Sequence, residues 1–300
     1  MKTVISRRAA LKMASAGALA SAVTVSMGVR LAAADPGDSA HRLKGRIHQS
    51  VCRWCYKEIP LDDLCRVGRE MGLAGIDLLD PEEFPIAEKY GLVCSMVSAP
   101  TRNGIGGIPK GFNCLEYHDT LAQIYSQRIN ETADAAFERL ICFSGNRNGL
   151  DDETGLENCA IGLKRILQLA EKRKITLCME LLNSKHTHPD YQGDHVAWGA
   201  ELVKRISSER FKILYDIFHM QIMDGDVCDT IRENHRFFDH YHTGGVPGRG
   251  EIDVSQELNY PRVMQAILDT GFKGYVAQEF VPKRPDKIAS LRQGVGLCDV

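Results

Sequence analysis

The sequence predicts an α/β chain folded as a single closed (β/α)₈ barrel, and three observations carry that reading. From Arg46 onward, short apolar strand-like runs alternate with helical stretches through about eight units, a pattern that calls for parallel strands joined by helical crossovers. Eight such units in roughly 250 residues match one closed barrel. The Gly-rich dinucleotide fingerprint that a doubly wound open sheet carries after its first strand is absent, which sets the main rival aside.

The elements follow in order. The first strand runs near Ile47 to Val51. The helix from Leu61 to Met71 is announced by Pro60 and by Asp62 and Asp63, acids that suit the positive end of a helix. Strands two and three are Gly75 to Leu79 and Leu92 to Val97, and the helix between them opens at Asp80-Pro81-Glu82-Glu83. A Gly-rich loop covers Ala99 to Asn113. Helical spacing of Leu, Ile, Ala and Phe then predicts a helix from Leu121 to Arg139 and a fourth strand from Leu140 to Phe143, followed by the loop Ser144 to Gly149. The next helix is expected from about Glu153 to Lys172, strand five from Ile175 to Glu180, and a helix from Val196 to Ile206. Strands six, seven and eight are Phe211 to Asp216, Phe237 to His242 and Gly274 to Glu279. The helix before strand eight starts behind Asn259-Tyr260-Pro261 and stops at Gly271, a capping residue and a terminating glycine in their usual places.

Composition narrows the class of function. A chain of 300 residues with 44% hydrophobic and 25% charged content has ample core for one large domain. The formal net charge of -2, with Lys and Arg scattered among acids, leaves no basic face for nucleic acid and favours a small-molecule partner.

The amino terminus reads as a twin-arginine export signal: Arg7-Arg8, then a weakly apolar stretch from Met13 to Leu31, then Ala32-Ala33-Ala34. That stretch is rich in Ala, Ser, Gly and Thr and is broken by Arg30, so a permanent membrane anchor is not expected. Residues 1–34 are therefore read as the signal, with cleavage after Ala34, and 35–300 as the barrel domain. The twin-arginine machinery becomes an expected partner, and the periplasm or another exported location the expected destination. Proteins taking that route cross already folded, so most of the ten cysteines are expected as buried thiols, Cys94, Cys142 and Cys178 among them. Cys52-Arg-Trp-Cys55 has redox spacing but lacks the thioredoxin context.

Four side chains stand near the carboxyl ends of strand-like runs: Glu180, Asp216, His242 and Glu279. In a (β/α)₈ barrel those ends converge on the active-site face. Three carboxylates and an imidazole form a hard shell suited to one divalent ion, Mn²⁺ or Mg²⁺ with Co²⁺ tolerated, whereas a structural zinc site usually recruits thiolates.

Glu180-Leu-Leu-Asn183, Tyr215-Asp-Ile-Phe-His-Met-Gln221, His240-Tyr-His242, Gly248-Arg-Gly-Glu-Ile252 and Gly274-Tyr-Val-Ala-Gln-Glu-Phe280 together resemble the hydroxypyruvate isomerase branch of the xylose-isomerase-like barrels. The likeness is strongest from Ile175 to Phe280. It implies Glu180, Asp216, His242 and Glu279 as the metal shell, with Glu180 and Glu279 as the paired proton donor and acceptor. Bacterial isomerases of that family often carry Gln where His242 stands, and the related ketose 3-epimerases carry His.

The chemistry matches that pairing. Moving a carbonyl between adjacent carbons removes one proton and returns another, and a divalent ion stabilises the enediolate between two flanking carboxylates. His219 is expected to reach a substrate oxygen and Arg249, in the loop Thr243 to Gly250, to hold a substrate carboxylate. Asn183 and Glu251 are expected as supporting or substrate contacts, and Trp54 as a wall of the pocket. His186, His188 and His195 fall in the loop after strand five and are expected to be solvated. The expected activity is isomerisation of a small hydroxy-carbonyl compound such as hydroxypyruvate. The alternatives are a ketose 3-epimerase and a non-catalytic sugar-binding barrel, and assembly into a homo-oligomer is also open.

Overall fold

Eight parallel strands close on themselves in sequence order in the computed structural model, which describes residues 43–300. They are β1 (His48–Cys52), β2 (Gly75–Leu79), β3 (Val93–Val97), β4 (Arg139–Cys142), β5 (Thr176–Glu180), β6 (Phe211–Asp216), β7 (Phe238–Thr243) and β8 (Tyr275–Gln278). Closure comes from β1 pairing with β8, with Ser50 opposite Ala277 and Val51 opposite Gln278. Each strand is largely buried and β5 is buried along its whole length, as parallel strands sandwiched between barrel interior and helices must be. The expected twin-arginine signal, residues 1–34, and the expected boundary at Asp35 lie outside the described residues. Among the described residues no helix is long and apolar enough to cross a membrane.

The surrounding helices are α1 (Leu61–Met71), α2 (Phe84–Lys89), α3 (His118–Asp134), α4 (Asp152–Arg173), α5 (Val196–Ile206), α6 (Ile217–Met223), α7 (Val227–Asn234), α8 (Tyr260–Asp269) and α9 (Lys287–Leu297). In α1, Leu61, Leu64, Cys65, Gly68 and Met71 are buried at the i, i+3, i+4 spacing of one helical face. Gly72 ends that helix at a φ of 88°, a left-handed conformation that a side chain would resist. Asp151 caps α4 by accepting from the Thr154 N–H at 2.7 Å. Asn259 caps α8 in the same way through Arg262 N–H.

The expected helix from Leu121 to Arg139 is corrected at both ends. It begins at His118 and stops at Asp134, and the chain turns through Ala136 at a φ of 57°. Phe137 then packs edge-on against Phe84 at 4.8 Å between centroids, and Arg139 opens β4 instead of closing a helix. Burial of Phe137 against α2 outweighs the continued helical periodicity of the local sequence.

The main core lies between strands and helices. A separate small cluster of Met96, Ile141, Cys178 and Leu214 plugs the barrel interior, leaving the carboxyl ends of the strands to line a cavity. All ten cysteines are free; Cys52 and Cys55 form no disulfide, and Cys94, Cys142 and Cys178 are buried thiols.

Candidate metal centre and active site

The four side chains at the ends of β5 to β8 meet at one point. Glu180, Asp216, His242 and Glu279 each offer a ligand atom, and these atoms lie within 4.8 Å of one another. All four residues are buried. Glu279 stands one residue beyond β8, whose ladder ends at Gln278. His242 Nδ1 is 2.6 Å from Glu279 Oε2 and 3.3 Å from Glu180 Oε1. Although fully buried, that nitrogen makes no well-aligned hydrogen bond. Close approach without alignment is what co-ligands of a shared ion show, and a buried polar atom otherwise needs a partner. The residues present therefore fit a divalent cation.

Each ligand is held from behind. Asp216 caps α6, its Oδ1 accepting from Phe218 N–H at 2.8 Å and His219 N–H at 3.2 Å, which leaves Oδ2 free to face the cluster. Glu279 Oε1 accepts from the Trp54 indole N–H at 2.6 Å, leaving Oε2. His242 Nε2 faces Asp77 Oδ2 at 3.2 Å, and that same oxygen receives His240 Nε2 at 2.5 Å. Ser50 donates to the other Asp77 oxygen at 2.6 Å. A carboxylate behind a ligating imidazole fixes which ring nitrogen faces the ion.

Burial pushes the Glu180 carboxyl up, and the nearby Glu279 charge adds to that despite the His242 contact. Burial would raise Glu279 as well, but the positive charges of His242 and Arg249 outweigh it and hold this carboxyl well below the usual range. The charges of His242 and Arg249 thus set the two neighbouring glutamates in opposite electrostatic settings within this cluster.

A cavity of about 940 Å³ opens over the cluster, within the size range of small-molecule sites. Glu180 and Glu279 line it together with His219, Arg249, His188 and Trp54. Its far wall is apolar, built by Leu78, Ile108, Ile141, Phe143 and Leu182. Trp54, 37% exposed, walls the mouth as expected.

His219 lies at the cavity in the first turn of α6, and burial drives its imidazole well below its ordinary range, so it is neutral at pH 7. Its Nδ1 accepts from the Asn183 backbone N–H at 3.0 Å, which puts the ring proton on Nε2. Arg249 reaches the cavity, yet its Nη2 is paired with Asp216 Oδ2 at 2.7 Å and with Glu279 Oε2. Asn183 is absent from the cavity lining: its Oδ1 receives His186 and Thr187 N–H groups at 3.0 Å and shapes the turn after β5.

Two expectations need adjusting, and one residue escaped the sequence reading. Glu251 does not line the cavity; its Oε1 receives Lys283 N–H, Arg284 N–H and the Ser290 hydroxyl at 2.9 to 3.0 Å and ties its loop to α9 and to the segment leading into it. His188, expected in solvent, is half-buried at the cavity with its ring 5.3 Å from that of His219, while His195 is exposed and pairs with Asp224 at 2.5 Å. Asp77 was not singled out by motif. Its signal was an acid, itself fully buried, inside the apolar run Gly75-Ile-Asp-Leu-Leu79.

Comparison with known proteins agrees with this architecture. The family model described as "Xylose isomerase-like TIM barrel" matches residues 86–296. The chain belongs to the xylose isomerase-like TIM barrel family. A human protein named as a candidate hydroxypyruvate isomerase is 36% identical over 113 residues, 38% of this chain and 40% of that protein. D-psicose 3-epimerase of Ruminiclostridium cellulolyticum is 27% identical over 134 residues, 43% of each chain. The chain spans less than half the length of either of these curated relatives. The crystal structure of an AP endonuclease, family 2, from Brucella melitensis superposes with a TM-score of 0.71 at 23% identity, covering 82% of this chain and 97% of that one, a likeness of fold.

Proposed function

We propose that this protein is an isomerase that shifts a proton between adjacent carbons of a small hydroxy-carbonyl compound, with one divalent cation, Mn²⁺ or Mg²⁺, held by Glu180, Asp216, His242 and Glu279. The observation that supports this reading above all is the placement of two glutamates, from β5 and from the end of β8, that both line the cavity and lie 3.3 and 2.6 Å from His242 Nδ1. A binding protein has no need of two carboxylates flanking one cation.

The cation supplies Lewis acidity when bound, making a C–H beside a carbonyl easier to deprotonate. The chain's own groups do the rest. One glutamate takes the proton and the other returns one to the neighbouring carbon, from opposite sides of the reacting plane. His219 lines the cavity and is the group suited to a substrate oxygen, while Leu78, Ile108, Ile141, Phe143 and Leu182 give the reacting carbons an apolar wall.

Hydroxypyruvate, converted to tartronate semialdehyde, is the leading candidate, supported by the human relative's name. A ketose 3-epimerase is the second reading, and two observations favour it: a histidine at 242, and an Arg249 whose charge is already matched by Asp216 and Glu279, where a carboxylate substrate would need it free. Export through the twin-arginine route belongs to the same proposal, supported by Arg7-Arg8 and the weakly apolar stretch that follows.

The test is a substrate panel. Protein stripped of metal and reloaded with Mn²⁺ is offered three-carbon hydroxy-carbonyl acids and four- to six-carbon ketoses, and the products are resolved by NMR. Metal-dependent isomerised or epimerised product supports the reading; turnover that survives chelation, or none with any member of the panel, removes it.

A further inference from the structure

On the reading of the four-residue cluster as a cation site, the oxygens that would face the ion already have an occupant. Asp216 and Glu279 each have one oxygen committed to a protein donor, Oδ1 to the backbone of Phe218 and His219, and Oε1 to the Trp54 indole. Each has one oxygen left for an ion, Oδ2 and Oε2. The Arg249 Nη2 group contacts these same two atoms. We propose that the Arg249 guanidinium and a divalent cation compete for this oxygen pair, so that metal entry swings the arginine side chain out of the cluster and into the cavity.

The movement is confined to the side chain. The Arg249 carbonyl accepts from Val281 N–H at 2.7 Å, and the loop is closed by Gly245 N–H donating to the Gly250 carbonyl at 2.9 Å. Both bonds hold the backbone while the guanidinium turns. The guanidinium already rests against two aromatic faces that attract a cation, the Phe218 ring at 4.8 Å and the Trp54 ring at 5.7 Å from its central carbon, contacts that do not depend on the two carboxylates.

The present contact with His219 also favours release. Arg249 Nη1 is 2.7 Å from His219 Nε2, yet the Asn183 N–H on Nδ1 places the ring proton on Nε2. Two donors therefore face each other, a mismatch held in place by the carboxylates on the far side of the guanidinium. Once the cation takes those carboxylates, the repulsion of like charges and the relief of this mismatch act in the same direction. His219 Nε2–H becomes available to substrate only then, so metal loading would order the substrate contacts as well as the metal shell.

The test is Mn²⁺ affinity, read by electron paramagnetic resonance of free Mn²⁺, for the full chain and for Arg249→Ala. Removing a competitor that occupies the site most of the time should tighten binding by about 10-fold or more. A second measurement uses unsubstituted protein labelled with ¹⁵N-arginine and titrated with diamagnetic Mg²⁺: the Arg249 guanidinium resonance, assigned by its loss in Arg249→Lys, should shift with the same midpoint as metal binding. Equal or weaker Mn²⁺ affinity in Arg249→Ala, or a resonance indifferent to Mg²⁺ while the ion binds, overturns the competition and leaves the metal centre standing. Binding of Mn²⁺ by neither protein removes the metal centre and the competition together.

Discussion

Asp77 Oδ2, on the second strand, lies 3.2 Å from His242 Nε2 on the seventh, and the two meet across the barrel interior because their strands are not neighbours in the sheet. That carboxylate turns the other ring nitrogen, Nδ1, toward Glu180 and Glu279. Asp77→Asn keeps the size but no longer enforces the tautomer. Metal affinity should weaken by about 10- to 100-fold, the usual cost of losing such an outer partner, while circular dichroism shows the barrel intact. Unchanged affinity in a Mn²⁺ titration would mean that packing alone orients His242.

Asp216 has two duties, and substitutions should separate them. As the cap of α6 it accepts two backbone N–H groups through Oδ1, and toward the cluster it presents Oδ2. Asp216→Asn retains a capping oxygen and should melt close to the parent protein, whereas Asp216→Ala should lose about 0.5–2 kcal/mol of stability. Both should lose most of their metal. Differential scanning calorimetry beside metal analysis checks the pair; equal stability of the two variants would refute the capping role.

Glu251 makes a pH-dependent contribution to stability. Burial alone would raise its carboxyl, but donors from Arg284, Ser290 and Lys283 hold it below the usual range. A carboxyl depressed in the folded state stabilises fully above its unfolded value, about 4.3 for glutamate, and loses that contribution as pH falls through the folded value. Glu251→Gln should therefore melt lower than the parent at pH 7, and the gap should close as the pH is taken below about 4. A gap independent of pH would assign the effect to packing.

Export depends on residues 7 and 8 in this account. Replacing Arg7 and Arg8 by Lys should trap the precursor inside the cell, judged by fractionation and immunoblotting. Normal export of the double variant would refute the twin-arginine assignment.

Much of this was legible in the sequence because the signals were local. Runs such as Phe211-Lys-Ile-Leu-Tyr-Asp216 end in an acid where the barrel opens, so both strand and ligand can be read from one hexapeptide. What escaped depends on contacts far apart in the chain. Asp77 is a lone acid in an apolar run, and its meaning emerges only when His240 and His242, more than 160 residues away, arrive beside it. Glu251 sits in a Gly-rich loop that suggests a ligand contact, but its partners come from residues 283–290. The end of α3 was misread because Ala135-Ala136-Phe137 prolongs the apolar pattern, while the tertiary contact of Phe137 with Phe84 turns the chain. The pairing of Arg249 with two carboxylates needed the loop's three-dimensional path.

Glu180 and Glu279 are proposed to pass protons to and from a carbon beside a carbonyl at a metal centre. The most direct measurement is incorporation of solvent deuterium into substrate, followed by NMR, for Mn²⁺-loaded protein and for Glu180→Gln and Glu279→Gln. The parent should place label at the carbon next to the carbonyl, lose that activity on chelation and regain it with Mn²⁺. Each variant should fall by about 10²-fold or more, the scale of a positioned acid–base group. Product formed without any label from solvent, or an undiminished rate in either variant, would contradict the account.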